Sequence, residues 1–223
     1  MMSEVAENLA SLKKKIAKIA VKWQRNPEDV ALIAVSKKQP DERVRDALQA
    51  GHREFGENRV QEAQGKWPGF KSEFADIKLH LIGPLQTNKA KEAVALFDVI
   101  QTVDRPKLAK ILAAEIKAAE KDLPVYIQVN IGEEEQKSGI PIDEADAFIQ
   151  ECRETHGLTV EGLMCIPPNV EQVAPYFALL GKIAARNGLE KLSMGMSGDF
   201  ETAVQFGATS VRVGTGVFGT RTS

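Results

Sequence analysis

The stretch ALIAVSKKQP, Ala31 to Pro40, is an apolar run that stops at Ser36 and then presents Lys37. A lysine near the end of a buried strand is partly desolvated. Its pKa falls, and the amine becomes a nucleophile toward a carbonyl, the product being a Schiff base. Two glycine-containing turns near the other end of the chain suit an anion. Ser197 and Gly198 precede a helical stretch, so free N–H groups and the positive helix end point to one place. Gly214, Thr215 and Gly216 follow an apolar run and let backbone amides approach closely. Arg212 alternates with Val211 and Val213, so it lies on the face opposite both valines.

An amine nucleophile facing an anion cradle points to a phosphorylated aldehyde. Pyridoxal 5′-phosphate (PLP) is the commonest cofactor of that kind, and a phosphosugar is the second choice. Arg212 favours the first. A pyridine nitrogen needs a hydrogen-bond partner, and an always-charged arginine disfavours its protonation, which weakens the ring as an electron sink. Each residue alone has a plainer account: Lys37 as a surface lysine beside Lys38, the glycines as tight turns, Arg212 as an interior charge paired with an acidic neighbour.

The elements that must position these residues alternate. Strands are expected at Val30–Val35, Glu54–Phe55, Lys78–Ile82, Val99–Thr102, Val125–Ile131, Thr159–Met164, Lys191–Met194 and Ser210–Val213. Helical stretches between them are expected at Asp41–Ala50, Arg59–Lys66, Asn88–Leu96, Arg105–Lys121, Asp143–Thr155, Val170–Asn187 and Asp199–Phe206. Val5, Leu9, Leu12, Ile16, Ile19 and Trp23 form the stripe of an amphipathic N-terminal helix. The alternation predicts a single (β/α)8 TIM barrel over residues 1–223, with the N-terminal helix closing the ring where no eighth helix fits. A doubly wound open sheet is the alternative. In a barrel the reactive groups gather at the C-terminal strand ends, which is where the residues above fall.

Composition excludes several classes. Basic and acidic residues number 29 and 31, a net charge of −2, which gives no pull toward nucleic acid or an anionic membrane. Lys13, Lys14, Lys15 and Lys18 read as a solvated helix face. The 2 cysteines make no disulfide framework and no metal-ligand spacing. The polar N-terminus is neither signal nor transit peptide, and no apolar run reaches a membrane span, so a cytoplasmic protein is expected.

The segments AVSKKQP, FGENRVQEAQGK, LHLIGPLQTNK, VNIGEEEQKSG, GLMCIPP, LSMGMSGDFETAVQFGATSVRVGT and FGTR resemble the pyridoxal phosphate homeostasis protein family, from about Ala31 to Arg221. Its members are similar to the barrel domain of alanine racemase standing alone. The resemblance puts the PLP lysine on Lys37, phosphate binding on Ser197, Gly198, Gly214 and Thr215, and the pyridine-nitrogen arginine on Arg212. It places Asn58, His80 and Met194 near the ring and its hydroxyl. It implies a protein that holds and buffers PLP in cells and affects vitamin B6 and amino-acid balance, with no established turnover; apo PLP-dependent enzymes are the expected recipients.

The residues themselves bear on turnover. Racemisation needs a base on each face of the α-carbon, and Lys37 supplies one. Of the 2 tyrosines, Tyr126 starts a strand and so faces the wrong end of the barrel, and Tyr176 lies on an outer helix. Cys165 reads as a small buried hydrophobe. The chain stops soon after the last strand, so no covering domain is expected. A PLP carrier, a monomer by its size, is therefore favoured over an amino-acid racemase and over a Schiff-base aldolase. The loop Gly132–Gly139 is either a cover for the site or a solvated loop.

Overall fold

The computed structural model describes residues 2–219. Eight parallel strands close a barrel in chain order: Ala31–Val35 (β1), Glu54–Glu57 (β2), Lys78–Leu81 (β3), Val99–Val103 (β4), Val125–Gln128 (β5), Val160–Met164 (β6), Lys191–Ser193 (β7) and Ser210–Val213 (β8). The closing pair aligns Ile33 of β1 with Arg212 of β8. The expected barrel is the observed fold, and its strands differ from expectation only at their ends.

The helix Glu4–Lys22 (α1) starts at Ser3, whose hydroxyl accepts from the Ala6 amide, with Glu4 and Glu7 in the first turn. It buries Val5, Leu9, Ile16 and Ala20. These pack against Asp41–Gln49 (α2) and against the last two helices of the ring. Among the described residues only the short helix Thr215–Phe218 follows β8, and α1 fills the gap in the outer ring. Arg25, just past α1, donates to the carbonyls of Val204 and Ala208 at 2.6 and 2.7 Å and ties that end down. Trp23, expected to pack, is instead 46% exposed, because α1 ends one residue before it.

Helix Val60–Glu73 (α3) runs past the expected stop at Lys66 and through Pro68. Burial of Trp67 and Phe70 outweighs the break in the hydrogen-bond ladder. The remaining helices are Ala90–Leu96 (α4), Pro106–Ala118 (α5), Ala145–Gln150 (α6), Ala174–Arg186 (α7), Phe200–Gln205 (α8) and Thr215–Phe218 (α9). The expected helix over Asp143–Thr155 divides into α6 and one π-helical turn, Glu151–Thr155, which buries Cys152. No described helix is long and apolar enough to cross a membrane.

Strand alternation divides the interior. One face of the sheet meets the helices in a continuous apolar core. The other face fills the barrel with a small cluster of Val99, Tyr126 and Met164 and with buried polar groups, among them His80, Gln101, Ser193 and Arg212. Trp67 is fully buried between Phe55 and Phe70 and donates its ring N–H to Glu57 at 3.1 Å. Trp67→Ala is expected to cost roughly 3–5 kcal/mol in chemical denaturation. A variant with an unchanged midpoint would refute this account of α3.

Candidate functional site

Above the C-terminal strand ends lies a cavity of about 250 Å³, just under the roughly 300 Å³ where small-molecule sites begin. Of the residues singled out in the sequence, Lys37, Asn58, Ser197, Arg212, Gly214 and Thr215 line it together. Gly198 sits exposed beside Ser197 without lining it. A wider depression of about 510 Å³ opens on the other side of Asn58, between Arg59 and Lys89.

Two expected residues lie elsewhere. Met194 is fully buried among strand and helix side chains, because alternation along β7 turns Ser193 inward and Met194 outward. The cavity meets Met196 instead. His80 does point into the barrel but lies lower, where it lines the opposite mouth with Glu54 and Tyr126. Ile82, two residues further along the same face, takes the place His80 was expected to fill. Alternation determines a side chain's face and says nothing of its height. Val35, Gln39 and Ile166 also line the cavity and were not singled out. For Val35 and Ile82 the period-two pattern was an available signal.

Lys37 is set by a clamped turn. The backbone reverses at Lys38, whose φ of 57° is unusual for a non-glycine residue. This leaves Lys38 exposed and Lys37 half-buried against the cavity. The Gln39 amide donates to the Ser36 carbonyl at 3.1 Å, and the Lys38 amide donates to Glu62 on α3. Lys66, one turn along α3, donates to the carbonyls of both Ser36 and Gln39, each at 3.1 Å. Its ammonium is 3.7 Å from the fully buried Glu57 carboxylate. Glu57 in turn accepts from the Ser36 hydroxyl at 2.7 Å. Glu57 and Lys66 both fall in the segment FGENRVQEAQGK, but neither was singled out as a site residue.

Asn58 is positioned by close approach. A Cβ on Gly83 would lie 2.2 Å from the Asn58 carbonyl oxygen, so only glycine lets β3's exit pass there. Gly195, at φ 95° and packed on Ala203, turns the chain out of β7. The following turn is closed by Asp199, whose carboxylate accepts from the Met196 amide at 2.6 Å. Ser197 thereby meets Thr215, which donates to its hydroxyl at 3.3 Å. Among the described residues, no hydrogen bond uses the amides of Ser197, Gly198, Thr215 or Gly216.

Arg212 forms the floor. Its guanidinium donates to the Ser193 hydroxyl at 2.7 Å and to the Cys165 carbonyl at 2.9 Å. It makes no ion pair among the described residues, in place of the acidic partner the sequence left open. Desolvation lowers its pKa. Burial pushes the Cys165 thiol up to about 12, so it stays protonated as a buried small residue. Tyr126 lines the lower mouth, and burial raises its hydroxyl further. The loop Gly132–Gly139 does not line the cavity: Lys137 donates to the Pro167 carbonyl at 3.3 Å, and Asn130 donates to the Glu134 carbonyl at 2.9 Å.

A parallel barrel with a basic floor and a hydroxyl-and-glycine rim is the architecture of an alanine racemase-type barrel, and the family model "Alanine racemase, N-terminal domain" matches residues 7–222. The chain is 41% identical to the pyridoxal phosphate homeostasis protein of Pseudomonas aeruginosa, covering 99% of this chain and 97% of that one. It is 39% identical to that of Escherichia coli, covering 99% and 98%. PipY of Synechococcus elongatus, solved with PLP bound, superposes with a TM-score of 0.83 at 35% identity, covering 97% of this chain and all of that one. The chain belongs to the pyridoxal phosphate homeostasis protein family. The motif FGTR ends at residues that lie outside those described.

Burial raises the Glu57 pKa above its usual 4.5, with Lys66 and the Ser36 and Trp67 hydrogen bonds opposing. The folded protein therefore holds this proton more tightly than the unfolded chain does. The group favours folding below pH 4.5, and that contribution is lost as pH rises through the raised value. Thermal melts of wild type and Glu57→Gln between about pH 4 and 7 should move in the variant's favour as pH rises. A constant gap between the two would contradict a raised Glu57.

Proposed function

We propose that the chain binds PLP in the upper cavity through the Lys37 amine and serves intracellular PLP homeostasis and supply, without catalytic turnover of its own. One observation carries this reading. A lysine, a buried arginine that makes no ion pair among the described residues, and the paired hydroxyls of Ser197 and Thr215 converge on one small cavity. Those residues fit the group by charge and by chemistry. The curated relatives bear the name of PLP homeostasis proteins, and PipY was solved with PLP.

Bound there, PLP supplies an aldehyde for the amine and a pyridine ring able to take up electrons. Lys37 offers the amine from a turn held at both ends by Lys66. Ser197 and Thr215 donate hydroxyl hydrogen bonds to the phosphate, and the unused amides of Gly198 and Thr215 add backbone donors. Asn58 lines the same cavity and would stand beside the ring, and Gly214 keeps the rim free of side-chain bulk. Arg212 has further N–H groups beyond those engaged with Ser193 and Cys165, and one would donate to the ring nitrogen. That cation keeps the ring nitrogen unprotonated and blunts its electron demand.

Turnover as a racemase lacks a second base. Among the described cavity residues only Lys37 and Arg212 are titratable. Tyr126 and His80 lie at the other mouth, and Cys165 stays protonated. The chain, as one domain and a monomer, delivers its PLP to apo PLP-dependent enzymes in the cytoplasm, with no role for nucleic acid or membrane.

Mixing the protein with PLP should produce an absorption band that Lys37→Ala lacks. Ser197→Ala with Thr215→Val should raise the PLP Kd roughly 10- to 100-fold. L- and D-alanine should keep their optical sign with the loaded protein, as in a no-protein control. A wild-type band in Lys37→Ala removes the lysine from the site, and inversion well above control replaces the carrier reading with the racemase.

A further inference from the structure

Arg212 begins a hydrogen-bonded chain that crosses the whole barrel. Its guanidinium donates to the Ser193 hydroxyl at 2.7 Å, and Ser193 donates to the Gln101 carbonyl oxygen at 2.6 Å. The Gln101 amide nitrogen is 3.0 Å from His80 Nδ1, and His80 Nε2 is 2.6 Å from the Glu54 carboxylate. Ser193 and Gln101 are fully buried, while Glu54 opens to the cavity at the lower mouth, its side chain 33% exposed.

The far end, together with the orientation of the Gln101 amide, orders the protons in the chain. Burial raises the Glu54 carboxyl, but its side chain is 33% exposed, and the hydrogen bond from His80 and the nearby charge of Lys78 leave the group below its usual value. An ionised carboxylate only accepts, so Nε2 of His80 carries the proton. With the Gln101 oxygen taken up by Ser193, its amide nitrogen faces Nδ1 and donates, so Nδ1 accepts and the ring is neutral. The Ser193 proton then points to Gln101, which leaves the Ser193 lone pairs to Arg212 alone. Reversing any link would set two donors or two acceptors face to face in a dry interior.

We infer that Gln101 and Ser193, with His80 behind them, are positioning residues that hold the Arg212 guanidinium against the ring nitrogen, their polarity set by Glu54 at the opposite mouth. This rests on the PLP reading of the cavity. It assigns a role to a histidine that the sequence placed beside the cofactor and the structure places on the other side of the barrel.

Two measurements test it. Nitrogen-15 NMR of the PLP-free protein should find His80 neutral, with its proton on Nε2; a proton on Nδ1 overturns the chain. Gln101→Leu touches neither Arg212 nor the cavity lining, yet should raise the PLP Kd roughly 3- to 10-fold and shift the absorption maximum of the bound cofactor. Gln101→Glu keeps an acceptor on Ser193 and accepts from a doubly protonated His80. It should restore binding to within about 2-fold of wild type and show both ring N–H signals. If wild type binds PLP and a folded Gln101→Leu binds it equally well with an unshifted maximum, this inference fails and the PLP reading stands. If wild type takes up no PLP, the reading of the cavity falls, and the NMR arm still decides the polarity of the chain.

Discussion

A guanidinium removed from water has to find acceptors, and Arg212 finds a hydroxyl and a backbone carbonyl in place of a carboxylate. Two of its N–H groups are engaged, and no carboxylate forms an ion pair with it among the described residues. The floor of the cavity therefore stays cationic in a low-dielectric setting, where a charge acts more strongly than it does in water. Lys37 stands over the same space. A chain with a net charge of only −2 thus sets two cationic side chains, Lys37 and Arg212, around one cavity.

The polar interior is possible because of closure. A parallel sheet wrapped on itself covers both of its faces, one with helices and one with its own side chains. The helix-facing side supplies an extensive apolar core. The inner side holds only a small apolar cluster and gives the remaining space to groups that satisfy one another. α3 adds a second polar device outside the strands, where Lys66 and Glu62 grip the turn after β1. The lysine and the arginine are thus both held from behind by residues that do not line the cavity.

Much of this was legible in advance. Parallel strands buried on both faces read as short apolar runs, and the helices between them carry a clear period, so the barrel followed from patterning. Lys37, Ser197 and Thr215 were recognisable because loops after strand ends gather at one mouth. The helix α3 extends beyond the expected end at Lys66, since the burial of Trp67 and Phe70 that carries it through Pro68 is a tertiary property. Met196, two positions after Met194, lines the cavity in its place, because the sharp turn at Gly195 resets which side chains point inward.

The order of the residues along the chain already contained the fold and most of the residues that line the upper cavity, because strand period and loop chemistry are local properties. Three matters waited for the folded molecule: the height of His80 in the barrel, the absence of an acidic partner for Arg212 among the described residues, and the grip of Lys66 on a turn 30 residues away. Each depends on register and closure, which bring together strands distant in the chain. No local pattern encodes the distance between two side chains that meet across a barrel.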